Sequence, residues 1–413
     1  EIQCGGCLIA QMCHNRLQSL SFQLLNTFNI LESIIFLNAT VGLTCTVHVI
    51  SVPLLFFVIS QFQSKWLCWL FGMAIVCGLY HPLKLLGPLG TIDWYVTSVI
   101  TAWTCLRGLS FSLDSVDQRD KGNILRKMGY CCYFPLLVMG PVVSYSTYTS
   151  FLERPSLQWS KVTVVQLLCI TCRYMTWYFF CEFVCYVLPI WTVQYTPEMV
   201  ETFSSWGLAG LCYMLGQMFM VKYTLFYGLP GSLASLEGCH TPSHPKCVAR
   251  IHKYSDMWRY FDQGLYLFMK QYMYVPFIRD TKNILVKMAA SVMIFSFIFV
   301  WHGTRFNIFL WCLINLIGVL AEQVANHISR GTLWQRFKGR VGDAWEKRVA
   351  CLFSSFLMII SVVGSEYLFT SETVIPSFTF ARLITDWKCT GITTYIFFYA
   401  SGHAARAIFD REK

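Results

Sequence analysis

Residues 41–60 read VGLTCTVHVISVPLLFFVIS, twenty positions without an Asp, Glu, Lys or Arg. A helix needs about 20 predominantly apolar residues to cross a hydrocarbon core about 30 Å thick, so this stretch predicts a membrane crossing. Residues 66–83, 306–321 and 349–365 are equally free of formal charge. Residues 94–106, 162–190, 204–230, 283–302 and 389–405 read as further crossings, nine in all.

The whole chain agrees. Its 413 residues are 55% hydrophobic and only 13% charged, with mean hydropathy +0.49. Soluble domains carry about 25% charged residues, so a soluble enzyme is excluded. A disordered chain needs low hydrophobicity, and a porin needs alternating segments of about 10 residues. The fold class expected is all-α: a polytopic membrane protein of about nine to ten transmembrane helices plus re-entrant segments, enclosing a central tunnel. No repeat or low-complexity linker divides it, so residues 1–413 are read as a single domain. The chain begins at Glu1 rather than Met, and a preceding segment is expected.

The net charge is +10, and in a membrane protein the loops that hold the cations set orientation. Residues 329–349 carry Arg330, Arg336, Lys338, Arg340, Lys347 and Arg348 against Asp343 and Glu346. That loop is expected to be cytosolic, as are 246–259 and 107–127. Residues 191–205 carry Glu198 and Glu201 without a basic residue and are expected to face the lumen. Threading the spans between these anchors puts His302 near the lumenal end of its span. Residues 130–145, broken by Pro135 and Gly140-Pro141, and residues 263–278, broken by Lys270, fit no full crossing. Both read as re-entrant or interfacial, a geometry tolerated only against protein or a water-filled cavity.

Most of the 19 cysteines lie in or beside apolar runs, where a thiol acts as a small hydrophobe. Cys4, Cys7, Cys13 and His14 have ligand chemistry for zinc, but no second pair follows at the usual distance. Cys131-Cys132, beside a basic loop, is a candidate acylation site. The sequon at Asn38-Ala39-Thr40 abuts a span and is read as unused.

Ionisable groups at membrane depth are costly, which makes each a functional candidate until a partner explains it. His302 ranks first, because imidazole changes charge near neutrality and serves as a general base; a hydrogen-bonded histidine at a helix end is the alternative. Asp262 ranks second, able to orient an imidazole or accept a proton, with pairing to Arg259 three residues back as the alternative. Arg173, Glu182 and Lys222 are read as helix-to-helix pairs or snorkelling side chains. There is no P-loop, G-x-S-x-G, H-E-x-x-H or Rossmann fingerprint. Nucleic-acid binding has no support, since the basic residues sit in short loops between spans.

Trp301-His302-Gly303, preceded 40 residues earlier by Asp262 within Trp258-Arg259-Tyr260-Phe261-Asp262-Gln263-Gly264-Leu265, resembles the membrane-bound O-acyltransferase (MBOAT) family. Leu106-Arg107-Gly108-Leu109-Ser110-Phe111, Gly140-Pro141, Val221-Lys222-Tyr223 and Asn315 to Val319 with Glu322 support it in the same order. Val138-Met139 departs from the polar His-Asn pair that the family tends to carry there.

The likeness is strongest to the branch that acylates secreted hedgehog-type signalling proteins. It implies an endoplasmic reticulum membrane enzyme, with the Golgi as the other compartment, moving palmitate from palmitoyl-CoA to the N-terminal cysteine amine of such a protein. His302 and Asp262 match the family's catalytic positions, and Trp258, with Arg259 and Trp301, the acyl-CoA site. Cys247 matches a thiolate that ligates haem iron. The alternatives are an enzyme of the same fold that acylates a lipid or a serine of another secreted peptide, and a non-catalytic regulator that keeps the fold.

Overall fold

The computed structural model describes residues 2–79, 91–119, 122–153, 161–188, 190–370 and 373–411, and side-chain description begins at Phe22. Among these residues there is no strand. The described parts of the nine apolar runs lie mostly on helices, and the chain divides into two compact units.

The first unit comprises residues 1–167 and 230–242. It holds α1 (Ile2–Ser60), α2 (Lys65–Leu79), α3 (Thr91–Gln118), α4 (Ile124–Cys131) and α5 (Tyr145–Leu152). Gly42, at φ +81°, breaks α1 just inside the run that sequence placed at 41–60, and apolar helix continues upstream of the break to Phe22. Leu37, Val41, Cys45 and Val49, one helical turn apart, form a buried stripe with Ile100 of α3 and Leu137. Leu43, Val47, Leu54 and Val58 stay exposed, as lipid-facing positions do. Gly108 lets α3 approach α1 closely: a Cβ there would lie 2.3 Å from the Phe56 ring.

Two cations of this unit are not loop charges. Arg107 is 3% exposed and its Nη1 donates to the Cys131 carbonyl at 3.0 Å. Lys127 is fully buried, its ammonium 5.3 Å from the Phe57 ring centre and 5.7 Å from that of Phe111. Cys131 and Cys132 are buried as well, and Ser33 donates to the Cys132 carbonyl. That burial corrects the reading of this pair as an acylation site. Residues 130–145 are irregular: α4 stops at Cys131, and one 3-10 turn (Phe134–Leu136) precedes a bend and chain without regular structure. Gly140 accepts the Trp103 indole N–H at 2.8 Å. The Cys4, Cys7, Cys13 and His14 side chains lie outside the described residues.

The second unit comprises residues 168–229 and 243–413. Its helices are most of α6 (Lys161–Val187) and of α7 (Ser205–Leu236), whose residues 161–167 and 230–236 fall in the first unit, and α8 (Tyr254–Phe261), α9 (Gln263–Met269), α10 (Val275–Ile278), α11 (Ile284–His302), α12 (Phe306–Ser329), α13 (Thr332–Val341), α14 (Asp343–Phe369), α15 (Val374–Thr385) and α16 (Ile392–Arg411). α11 packs on α12, α12 on α14, and α14 on α16. The expected re-entrant stretch 263–278 is a broken helix: α9, a π-turn at Lys270–Tyr274, and α10, which holds Pro276. Among the described residues five helical stretches, against the nine crossings expected, are long and apolar enough to cross a membrane: Phe22–Ser60, Val164–Val187, Ile284–His302, Phe306–Ser329 and Asp343–Phe369. The protein is an all-α polytopic membrane protein.

Candidate functional site

The candidate site is built on one face of α12. Trp311, Asn315, Gly318 and Glu322 recur at helical spacing and therefore share that face. Each engages a different feature of the second unit. Glu322 accepts the backbone N–H of Ser255 at 2.8 Å and its hydroxyl at 2.6 Å, which fastens the start of α8. Asn315 Oδ1 accepts the Tyr254 hydroxyl at 3.0 Å. Gly318 leaves room for the Tyr254 ring, which would lie 2.5 Å from a Cβ at that position. Trp311 lies against two rings: Trp258 of α8 at 5.7 Å and His302 of α11 at 5.1 Å, the latter edge-on at 85°.

His302 is the last residue of α11, and Gly303, at φ +99°, ends the helix immediately after it. That conformation suits glycine and few other residues, which gives the Trp-His-Gly sequence a structural reason. The imidazole is half-buried, and among the described residues no hydrogen bond reaches it. Trp301 is buried and stacks on Phe297 at 6.0 Å. Trp258 packs at 4.9 Å from Phe295, nearly perpendicular, and its indole N–H is buried with no hydrogen-bond partner among the described residues. Buried donors are rarely left unpaired, so this one marks a place where an acceptor belongs.

Asp262 sits at the corner between α8 and α9 with non-helical backbone (φ −120°, ψ +82°). Its Oδ1 accepts the Leu265 N–H at 2.9 Å, capping α9, and its Oδ2 accepts the hydroxyl of Tyr227 from α7 at 2.7 Å. The corner lies outside the five candidate spans. Burial pushes the carboxyl above its ordinary value, while the Leu265 and Tyr227 bonds pull the other way. No hydrogen bond joins Asp262 to His302 or to Arg259. Arg259 instead pairs with Asp256 at 3.3 Å, one turn back on its own helix, and lies near the Tyr260 and Tyr266 rings.

Cys247 precedes a single 3-10 turn, Val248–Arg250, against which α16 packs. The loop that carries it is pinned to the α8–α9 corner: Lys246 N–H donates to the Tyr260 carbonyl at 3.1 Å, and Ser243 donates twice to Gln263 Oε1. Its thiol is free and half-buried, with no hydrogen bond among the described residues. One such sulfur is what axial ligation of a haem iron asks of a protein, so the residue fits that role chemically.

The structure thus gathers Trp258 and His302 around Trp311. Asp262 follows Trp258 by four residues, and the Cys247 loop is bonded alongside. Trp311, Tyr227 and Tyr254 went unread in the sequence; the spacing from Trp311 to Glu322 was the available signal. Of the charged residues inside apolar runs, Arg173 and Lys222 lie near aromatic rings (Tyr174 and Phe226) rather than in ion pairs.

The chain is 28% identical over 330 residues to the protein-cysteine N-palmitoyltransferase Rasp of Drosophila melanogaster, covering 77% of this chain and 65% of that protein. It is 24% identical over 331 residues to the protein-cysteine N-palmitoyltransferase HHAT of Mus musculus, covering 74% and 66%. A third relative, the membrane-bound O-acyltransferase GUP1 of Saccharomyces cerevisiae, is 23% identical over 242 residues, covering 56% and 41%. The chain spans just under two thirds of the length of the first two relatives. The family model for MBOAT, membrane-bound O-acyltransferase, matches residues 58–363, which include α8, α9, α11 and the whole face of α12, and on this match the chain belongs to the membrane-bound O-acyltransferase family.

Proposed function

We propose that this chain transfers palmitate from palmitoyl-CoA to the N-terminal cysteine amine of a secreted hedgehog-type protein, in the endoplasmic reticulum membrane. The observation that carries the reading is an imidazole that no hydrogen bond from the described residues reaches, set against Trp311 beside a Trp258 indole N–H equally without a partner among them. Similarity to two protein-cysteine N-palmitoyltransferases supports the acceptor class.

The acyl donor is cytosolic and its CoA head cannot cross lipid, whereas the acceptor is lumenal, so the reading includes a passage through the bilayer where the two meet. There the amine nitrogen attacks the thioester carbon, His302 takes the amine proton, the C–S bond breaks, and the CoA thiolate leaves with that proton returned to it by the imidazolium. An α-amine has pKa about 7.7–8.0, so a useful fraction is already neutral and the base is asked for little. Trp258 N–H would donate to the thioester oxygen as it gains charge. Asp262 holds the α8–α9 corner that presents Trp258, Arg259 supplies charge for the CoA phosphates, and Trp301 walls the site. Positioning would supply most of the acceleration, about 7–11 kcal/mol in favourable cases.

His302→Ala should leave palmitoyl-CoA binding nearly intact and lower turnover of a peptide with a free N-terminal cysteine. Lost binding with unchanged turnover would refute the assignment. Similarity to GUP1 favours a second reading, acylation of a lipid hydroxyl or a serine. The same assay with an N-acetylated peptide and a serine peptide separates the two. We further propose that Cys247 would hold a haem through its thiolate, the group then supplying an iron centre bound by sulfur. Purified protein should show a Soret band that Cys247→Ala abolishes, and a wild type without the band would end that assignment.

A further inference from the structure

α13 has no place in the acyl-transfer site, yet its surface is organised. It links two candidate spans, α12 and α14, through Arg330-Gly331 on one side and Gly342, at φ +80°, on the other. A helix so tethered lies where both spans reach the membrane surface.

At 100° per residue, Leu333, Phe337, Val341 and Trp334 form one continuous apolar sector. Leu333 is 80% exposed and Phe337 44%. Trp345, 55% exposed, adds an aromatic group at the start of α14 with Arg348 5.1 Å from its ring. Cations border the apolar sector: Arg336 and Arg340 on one side, Lys338 on the other. Lys338 takes both nearby acids, Asp343 at 3.3 Å and Glu346 at 2.8 Å. Arg330, Arg336 and Arg340 have no acidic partner among the described residues. An apolar stripe bordered on one side by uncompensated cations is the pattern of a helix lying in the plane of a lipid surface.

We propose that α13 is a membrane-surface docking helix that seats Leu333 and Phe337 at the headgroup–acyl boundary and binds anionic phospholipid headgroups through Arg336 and Arg340. Charge complementarity selects the lipid: an anionic leaflet attracts such residues at short range, and Arg pairs with phosphate through two parallel bonds. The positive loop places this contact on the cytosolic leaflet. The inference does not depend on the acyl-transfer reading.

The test reconstitutes the whole protein in nanodiscs of phosphatidylcholine alone and of phosphatidylcholine doped with phosphatidylserine, and follows thermal unfolding. Phosphatidylserine should raise the midpoint of the wild type, the rise should shrink as salt shortens the screening length, and the R336Q/R340Q variant should lose it. R336K/R340K should recover most of it. A wild type indifferent to phosphatidylserine, or an equal rise in the glutamine variant, overturns the proposal. A face that instead binds another protein would show as indifference to lipid charge. Should the glutamine variant not fold, native mass spectrometry of the wild type decides: retained phosphatidylserine that high salt displaces supports the site, and no preference over phosphatidylcholine overturns it.

Discussion

Asp262 offers the sharpest test of how the site is held, because its two oxygens do different work. Asp262→Ala removes the acceptor for Leu265 N–H at the α9 terminus, and losing such a cap costs about 1 kcal/mol. It also removes the hydrogen bond that the hydroxyl of Tyr227, a residue 2% exposed, donates to the carboxylate, and a bond to a charged group is worth about 1.5–3 kcal/mol. The sum is about 2.5–4 kcal/mol. Asp262→Asn keeps an oxygen for Leu265 and offers an amide to Tyr227, whose hydroxyl can turn to accept, so it should lose under about 1 kcal/mol.

The pH dependence adds a second signature. Burial holds the folded-state carboxyl above its unfolded value, so the folded protein binds this proton more tightly. Its contribution to stability is then fully present below the unfolded carboxyl pKa of about 3.9 and is lost as pH rises through the folded value. Asp262→Asn should flatten that part of the profile. Thermal unfolding of both variants in one lipid, across a pH series, reads both effects. If Asn destabilises as much as Ala, or keeps the wild-type pH slope, the carboxylate is not held as described.

Gly318→Ala should destabilise by about 1–3 kcal/mol, since the new Cβ would meet the buried Tyr254 ring at 2.5 Å and the well-packed α8–α12 contact has nowhere to give; denaturation midpoints check it, and a neutral result would mean α8 is not seated there. Trp258→Phe keeps an aromatic ring between Phe295 and Trp311 but removes the indole N–H. It should lower kcat while KM for palmitoyl-CoA and the unfolding midpoint stay near wild type, as expected for a donor used only in the transition state; a rise in KM alone would make Trp258 a wall of the site and nothing more.

The helices were legible because charge-free runs report directly on the solvent a segment meets, and 41–60, 306–321 and 349–365 needed no tertiary information. α15 escaped because its 12 residues, with Pro376 and Arg382, are too short and too interrupted to register as a crossing. The helix upstream of Gly42 carries Glu32, Asn26 and Asn29, which hid its apolar character; the two asparagines are buried. At the site, residue types were legible and partners were not. The spacing from Arg259 to Asp262 suits a pair on one helix, but α8 stops at Phe261 and the backbone turns there. Arg259 keeps its helical neighbour Asp256 while Asp262 meets Tyr227, a residue 35 positions earlier.

That turn bears on how a histidine and an aspartate 40 residues apart can serve the proposed site with no hydrogen bond between them. No bond between them fixes their relation; α12 does. Gly303 ends α11 so that His302 falls against Trp311 at the start of the α12 face, while Asn315, Gly318 and Glu322 further along it hold Tyr254 and Ser255, the first residues of α8. α8 is two turns long, so fixing its start also fixes Trp258 and the Asp262 corner, which Tyr227 holds from α7. A displacement of α12 along its axis would therefore carry the imidazole's neighbour and the anchor of the aspartate corner together. Catalytic geometry tolerates errors well below 1 Å, and a single rigid helix face meets that demand better than two flexible side chains reaching for each other.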